Sequence, residues 1–147
     1  LIVSQTTNES KIIRVLKDPD IFNRISEDGP ELESWMPHID SAIFLTDDDN
    51  IGVMIYHWIN GITLECHVQI LPEHRDKALE FGEKALQWAW DNTKATKIVA
   101  QIPEIYPDVL KFAYKHGFSF EGVNHSSYLK NGKIHNQFYL GLIRPGV

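Results

Sequence analysis

Glu65 and His67 stand two residues apart in a segment that alternates polar and apolar side chains, so both fall on one face of the strand that carries them. A carboxylate or an imidazole placed there can take a proton from a nucleophile, directly or through a water molecule. Glu65 is the first candidate for that base and His67 the second; a solvated or hydrogen-bonded sheet face is an equally good account of the pair. The run Ile70-Leu71-Pro72-Glu73-His74-Arg75 follows at once. It closes a strand-like stretch at a proline and turns into a long amphipathic segment. Such a turn gathers the first free N–H groups of a helix at one spot, which favours an anion such as a pyrophosphate. Cys66 is the only cysteine, which rules out an internal disulfide and a cysteine-rich zinc motif. Its alternating neighbours make it a buried strand residue. The histidines at 38, 57, 67, 74, 116, 125 and 135 include no pair at helical i, i+4 spacing, so no metal site is expected.

The elements that must position these residues are legible in outline. Residues 8–28 carry helical apolar spacing interrupted by Asp18-Pro19, and proline disfavours helix at the residue before it, so two short helices are expected. Residues 41–46 and 51–59 read as strands around the polar turn Asp47-Asp48-Asp49-Asn50. Asn60-Gly61 then predicts a type I′ hairpin into a third strand over 62–70, since both residues accept positive φ. On that strand Thr63, Glu65, His67 and Gln69 face one way; Leu64, Cys66, Val68 and Ile70 face the other. A helix is expected over 76–92, a short strand over 97–102 parallel to the third, and a helix over 107–116 capped by Gly117. Residues 118–129 and 133–142 complete a hairpin around Lys130-Asn131-Gly132. The order describes one mixed α/β, or α+β, domain over residues 1–147.

Composition narrows the function classes. A formal charge of −6 without a basic run argues against nucleic acid and anionic membranes as partners, while leaving a cationic substrate such as an amine open. No apolar run approaches the roughly 18 residues of a membrane span. Leu1-Ile2-Val3 is too short for the apolar part of a secretory signal, so a cytoplasmic location is the default expectation.

The turn after Ile70, with the helix Val109-Leu110-Lys111-Phe112-Ala113-Tyr114-Lys115-His116 closed by Gly117-Phe118, resembles the acyl-CoA-binding core of the GCN5-related N-acetyltransferase (GNAT) superfamily over about residues 40–143. The resemblance implies a central, mixed but mostly antiparallel sheet flanked by helices, with splayed central strands. It implies acetyl-CoA as acyl donor and cosubstrate, its pantetheine arm against Ile70 and Leu71. The pyrophosphate would sit over Arg75, Asp76, Lys77, Ala78, Leu79 and Glu80. Glu65 or His67 would deprotonate a primary amine, of a small molecule, peptide or protein. Tyr114 lies one residue past the position, here Ala113, where many members carry a tyrosine acid; a surface tyrosine is the competing reading. Ala78 and Glu80 replace the usual glycines. A carboxylate at roughly 4 Å from a phosphate would cost on the order of 4 kcal/mol at an effective dielectric of 20, unless Glu80 swings away.

The same substitutions, the single-domain length and the segment Asn136-Gln137-Phe138-Tyr139-Leu140-Gly141-Leu142 are also similar to a group of tailed-bacteriophage proteins, some acetyltransferase-like and others head-assembly proteins. That similarity implies a second reading: a non-catalytic interaction or assembly module that has lost CoA binding, found in host cytoplasm or virion. The superfamily resemblance also allows a homodimer through an exposed sheet edge or the final strand pair.

Overall fold

The computed structural model describes residues 1–147. Its elements in chain order are β1 (Val3–Gln5), α1 (Glu9–Leu16), α2 (Pro19–Ile25), β2 (Ile43–Asp47), β3 (Gly52–Trp58), β4 (Thr63–Ile70), a 3-10 turn (Pro72–Lys77), α3 (Ala78–Asn92), β5 (Lys97–Pro103), α4 (Pro107–Lys115), β6 (Ser119–Lys130) and β7 (Lys133–Ile143). The seven strands form one sheet in the order β1-β2-β3-β4-β5-β7-β6. Every neighbouring pair is antiparallel except β4 and β5, which are parallel across α3. No helix is long and apolar enough to cross a membrane.

The two N-terminal helices separate where the sequence predicts. The Asp18 carboxylate accepts the amides of Asp20 and Ile21, and Pro19 fills the first turn of α2, where a missing N–H costs nothing. At the other end of the chain the α4 C-terminus is a Schellman motif. Gly117 sits at φ +93°, its amide bonds the Tyr114 carbonyl, and the Phe118 amide reaches Ala113.

Two expectations need correction, and one strand lies beyond them. Val3 opens β1, which pairs with the edge of β2 (Val3↔Asp47 to Gln5↔Leu45). Three residues hold too little alternation to declare a strand; the exposed rung of β2 makes them one. The Asn60-Gly61 turn is not type I′, because neither residue has positive φ. Instead the Asn60 side chain accepts the Ile62 amide at 2.9 Å, and Ile59 N–H closes onto the Thr63 carbonyl at 2.9 Å. The type I′ geometry appears at Asn131-Gly132, with φ of +54° and +73°. Finally, the helix expected over 76–92 starts at Ala78. Before it the chain makes a tighter 3-10 turn with a non-helical His74 (φ −119°, ψ 18°).

Two apolar layers sandwich the sheet. On one face Leu45, Met54, Tyr56, Leu64, Cys66 and Ile70 pack with Phe81, Ala85, Leu86, Ala89 and Trp90 of α3. The Tyr56 hydroxyl donates to the Ala85 carbonyl at 2.7 Å, which satisfies a phenol buried in that layer. On the other face Phe44, Val53 and Leu71 pack with Ile12, Val15, Leu16 and Ile21 of α1 and α2. Each strand therefore sends alternate residues to different helices. Glu65, His67 and Gln69 lie on the α1–α2 face, opposite Leu64, Cys66 and Ile70.

Candidate active-site cleft

The parallel pairing of β4 with β5 runs only from Thr63↔Lys97 to Glu65↔Val99. Beyond it β4 stays paired with β3 as far as Gly52↔Ile70, and β5 with β7 as far as Pro103↔Gln137. The two central strands thus diverge, and a cleft of about 370 Å³ opens between them. Its floor is apolar, from Cys66, Leu86, Ala100, Ile102 and Phe118. Burial pushes the Cys66 thiol up to about 12, so the sulfur is a neutral wall group with no nucleophilic character at neutral pH.

Backbone groups alternate between the two neighbours of a strand. The Leu71 amide bonds the Ile51 carbonyl (2.8 Å) and the Thr63 carbonyl accepts from Ile59, so odd-numbered residues of β4 point toward β3. Cys66, Val68 and Ile70 therefore direct their N–H and C=O groups toward β5, and past Glu65 no β5 rung meets them. This corrects the sequence expectation at Leu71: its amide is held by Ile51, and its carbonyl accepts the His74 amide at 2.9 Å. Its side chain is buried in the layer under α1. The residue that faces the gap is Val68, which no motif singled out; strand parity combined with the point of splay would have identified it.

Of the residues expected against the pantetheine and pyrophosphate, Ile70, Arg75 and Ala78 line the cleft; Asp76, Lys77, Leu79 and Glu80 do not. Arg75 Nε donates to the Ile70 carbonyl at 2.8 Å. That bond ties the 3-10 turn back onto the strand end and uses one of the five guanidinium N–H groups. The Glu80 side chain does not reach the cleft, which removes the repulsion expected from the sequence. Helix α3 opens at Ala78 with no side chain capping its first amides.

Gly82 and His116 form the wall between α3 and α4. A Cβ at Gly82 would stand 2.3 Å from His116 Nε2, so only glycine admits the ring there. The imidazole lies against Phe112, with centroids 4.6 Å apart, and its buried Nε2 has no hydrogen-bond partner. Burial holds its pKa below the usual histidine value, against a smaller opposing pull from Glu83. A histidine kept neutral in the fold binds fewer protons than in the unfolded chain, so its effect on stability is unfavourable below about pH 6.5. Stability is expected to fall as pH drops from 7.5 through 6 toward the folded-state value. A His116→Leu variant should lose part of that slope, measured by thermal melts across the range; an unchanged slope would remove His116 from the account.

On the α1–α2 face, His67 Nε2 lies 3.1 Å from Glu65 Oε1, and the His57 ring packs edge-on to His67 at 6.0 Å. The hydrogen bond from His67 lowers the Glu65 pKa, with burial opposing. A carboxylate ionised at neutral pH then makes Nε2 the protonated nitrogen and leaves Nδ1 as the lone-pair site. His67 lines the cleft and Glu65 stands behind it. Tyr114 is exposed and outside the cleft, whereas Ala113 and Phe112 line it. Sequence reasoning missed the polar front of the cleft, built by Arg24, Gln101, Tyr106, Asp108, Tyr128 and Gln137. Arg24 bridges α2 to α4 through Asp108 (2.7 and 2.8 Å) and stacks over Tyr106 at 4.8 Å. These residues lie far apart in the chain, and no local spacing signals their meeting.

No protein-family model and no curated protein matches the chain. Solved structures do. The spermidine N-acetyltransferase of Vibrio cholerae in complex with CoA and spermine superposes with a TM-score of 0.77 at 16% identity, over 96% of this chain and 94% of that one. A ribosomal-protein-alanine N-acetyltransferase from Brucella melitensis gives 0.74 at 13% identity, over 98% and 100%. A GNAT-family acetyltransferase from Bacillus anthracis gives 0.74 at 14% identity, over 97% and 95%. Likeness at such identities speaks for architecture, and the splayed mixed sheet between two helical layers agrees with it: the chain has the fold of the GCN5-related N-acetyltransferases.

Proposed function

We propose that the protein is an N-acetyltransferase that moves an acetyl group from acetyl-CoA to a primary amine. The observation that carries the reading is the early end of the β4–β5 ladder, which leaves the Val68 and Ile70 edge of β4 facing an apolar cleft. An extended arm bearing amides, such as pantetheine, fits there as a substitute strand. Arg75 and the uncapped first turn of α3 lie at one end of the cleft and suit the diphosphate. His67 stands at the opposite face, with Glu65 fixing its tautomer. In this reading a backbone amide of β4 polarises the thioester carbonyl. Nδ1 of His67 takes a proton from the amine as it attacks. The neutral Cys66 thiol supports direct attack in a ternary complex over transfer through an acyl-cysteine. The structural neighbours, a spermidine N-acetyltransferase bound to CoA and spermine and a ribosomal-protein-alanine N-acetyltransferase, support an acyl donor and an amine acceptor.

The second reading, a GNAT-like interaction or phage head-assembly module without CoA binding, draws on Ala78 and Glu80 in place of glycines. Thermal melts with acetyl-CoA, CoA and dephospho-CoA separate the two. Ligand at about a hundred times its Kd should add about 2.7 kcal/mol, or roughly 5–10 °C in Tm. No shift at millimolar ligand would leave the module reading in its place.

A further inference from the structure

Beside the cleft lies a second cavity of about 570 Å³ that shares Ile25, Gln101, Tyr128 and Gln137 with it. We infer that this groove receives the first residues of a peptide, so that the acceptor is a peptide N-terminal amine; the assignment rests on the acetyl-transfer reading above.

Gln101 on β5, Gln137 on β7 and Asn124 on β6 share one sheet face, because Gln101 pairs with Tyr139, two residues from Gln137, and Gln137 pairs with Asn124. The strand order β4-β5-β7-β6 makes them a row that starts beside His67 and leads away from it. Adjacent strands are about 4.8 Å apart, so the row spans on the order of 10 Å, the length of about three extended residues. Asn124 Nδ2 reaches Gln101 Oε1 at 3.3 Å, and the Gln137 amide makes no hydrogen bond within the protein. Side-chain amides carry a donor and an acceptor each, which is the complement of a peptide backbone. The β6 ladder breaks between Asn124 and Tyr128, with Ser126 at φ +51°, and this bulge opens the groove beside the row. Phe22 and Trp35, packed edge to face at 5.6 Å, supply an apolar wall for a side chain.

A polycationic acceptor fits less well. The acids that line the two cavities are Glu27, Asp28 and Asp108, and each is engaged. Asp108 holds Arg24 through both oxygens. Glu27 accepts the Leu129 amide at 2.9 Å, and Asp28 accepts the amides of Asn131 and Gly132 at 2.9 and 2.8 Å. Arg24 and the buried ammonium of Lys130 offset their charge. A peptide α-amine also titrates near 8, against about 10.4 for a lysine-like amine, so a fair fraction is already neutral for attack. In the step, the amine nitrogen forms the C–N bond to the acetyl carbon and the C–S bond breaks with its electron pair on sulfur. The amine proton leaves through His67 and the thiolate is protonated, giving N-acetyl peptide and CoA thiol.

The test measures initial rates by mass spectrometry at saturating acetyl-CoA, with alanine amide, its di-, tri- and tetrapeptide amides, and 1,4-diaminobutane as acceptors. The inference expects kcat/KM to rise about fivefold per residue through the third, one net hydrogen bond apiece, and then level off. Diaminobutane should be poorer than the tripeptide. Asn124→Ala should flatten the length dependence while the KM for acetyl-CoA stays put. Rates indifferent to length, or a preference for the diamine, would overturn the peptide assignment and leave acetyl transfer standing. A protein that does not bind acetyl-CoA would overturn both.

Discussion

His67→Ala is expected to lower kcat/KM for the amine about 10²- to 10³-fold near neutral pH, while acetyl-CoA still raises the melting temperature as in the parent. The size follows from the worth of a positioned general base, about 10²- to 10⁴-fold. Here the proposed base stands on a central strand, with one nitrogen held by Glu65 at 3.1 Å and the ring braced edge-on by His57. Glu65→Gln should cost less, about tenfold, because an amide can still hold the ring although it no longer stabilises a developing imidazolium. If His67→Ala keeps full activity, the base lies elsewhere. The sequence ranked Glu65 ahead of His67; the proposed mechanism puts His67 first, since of the two only His67 lines the cleft.

Asp47→Ala should cost roughly 3 kcal/mol of folding stability, or about 6–12 °C in Tm for a chain of this size. The Asp47 carboxylate is buried and accepts three amides of the turn between β2 and β3: Asp49 at 3.0 Å, Ile51 at 2.9 Å and Gly52 at 3.3 Å. Ile51 and Gly52 are themselves buried, so truncation strands two donors away from water, at about 1–3 kcal/mol each. The turn also carries Asn50 at φ +52°, whose side chain donates to Thr46 Oγ1 and to the Lys11 carbonyl and so anchors α1. Gly52 opens β3 directly opposite Ile70, at the mouth of the cleft. Damage at this turn should therefore spread to the ligand end of the fold. Asp48→Ala is the control: that exposed side chain accepts only the Ile2 amide, and its loss should cost well under half as much. Urea denaturation read by Trp fluorescence measures both. An Asp47→Ala midpoint indistinguishable from the parent would mean that water reaches those amides.

Much of the architecture was legible because local physics decides it. Period-two alternation in β4, the amphipathic run that becomes α3, the Asp18-Pro19 break and the Gly117 cap each act through neighbours a few residues away. Their effect is therefore written in consecutive residues. The same holds for the shared face of Glu65 and His67 and for the burial of Cys66. The elements that failed to show were those made by distant partners. A three-residue β1 exists only because β2 offers it an edge, and Asn60-Gly61 yields its expected turn type to an Asn60 side-chain bond.

For the site the division is sharper. Residue types alone named a base, an arginine and an anion-friendly turn. They could not say that Leu71 spends its amide on Ile51, that Glu80 does not reach the cleft, or that Val68 faces the gap. Those outcomes depend on where the β4–β5 ladder stops, and on which neighbour each odd or even residue meets there. The row Gln101, Gln137 and Asn124 is further removed still, since three strands from separate parts of the chain must align before the amides share a face. The sequence determined which chemical groups this protein has and which local elements hold them. Pairing across the sheet decided which of them face one another, because side-chain direction is local while adjacency is not.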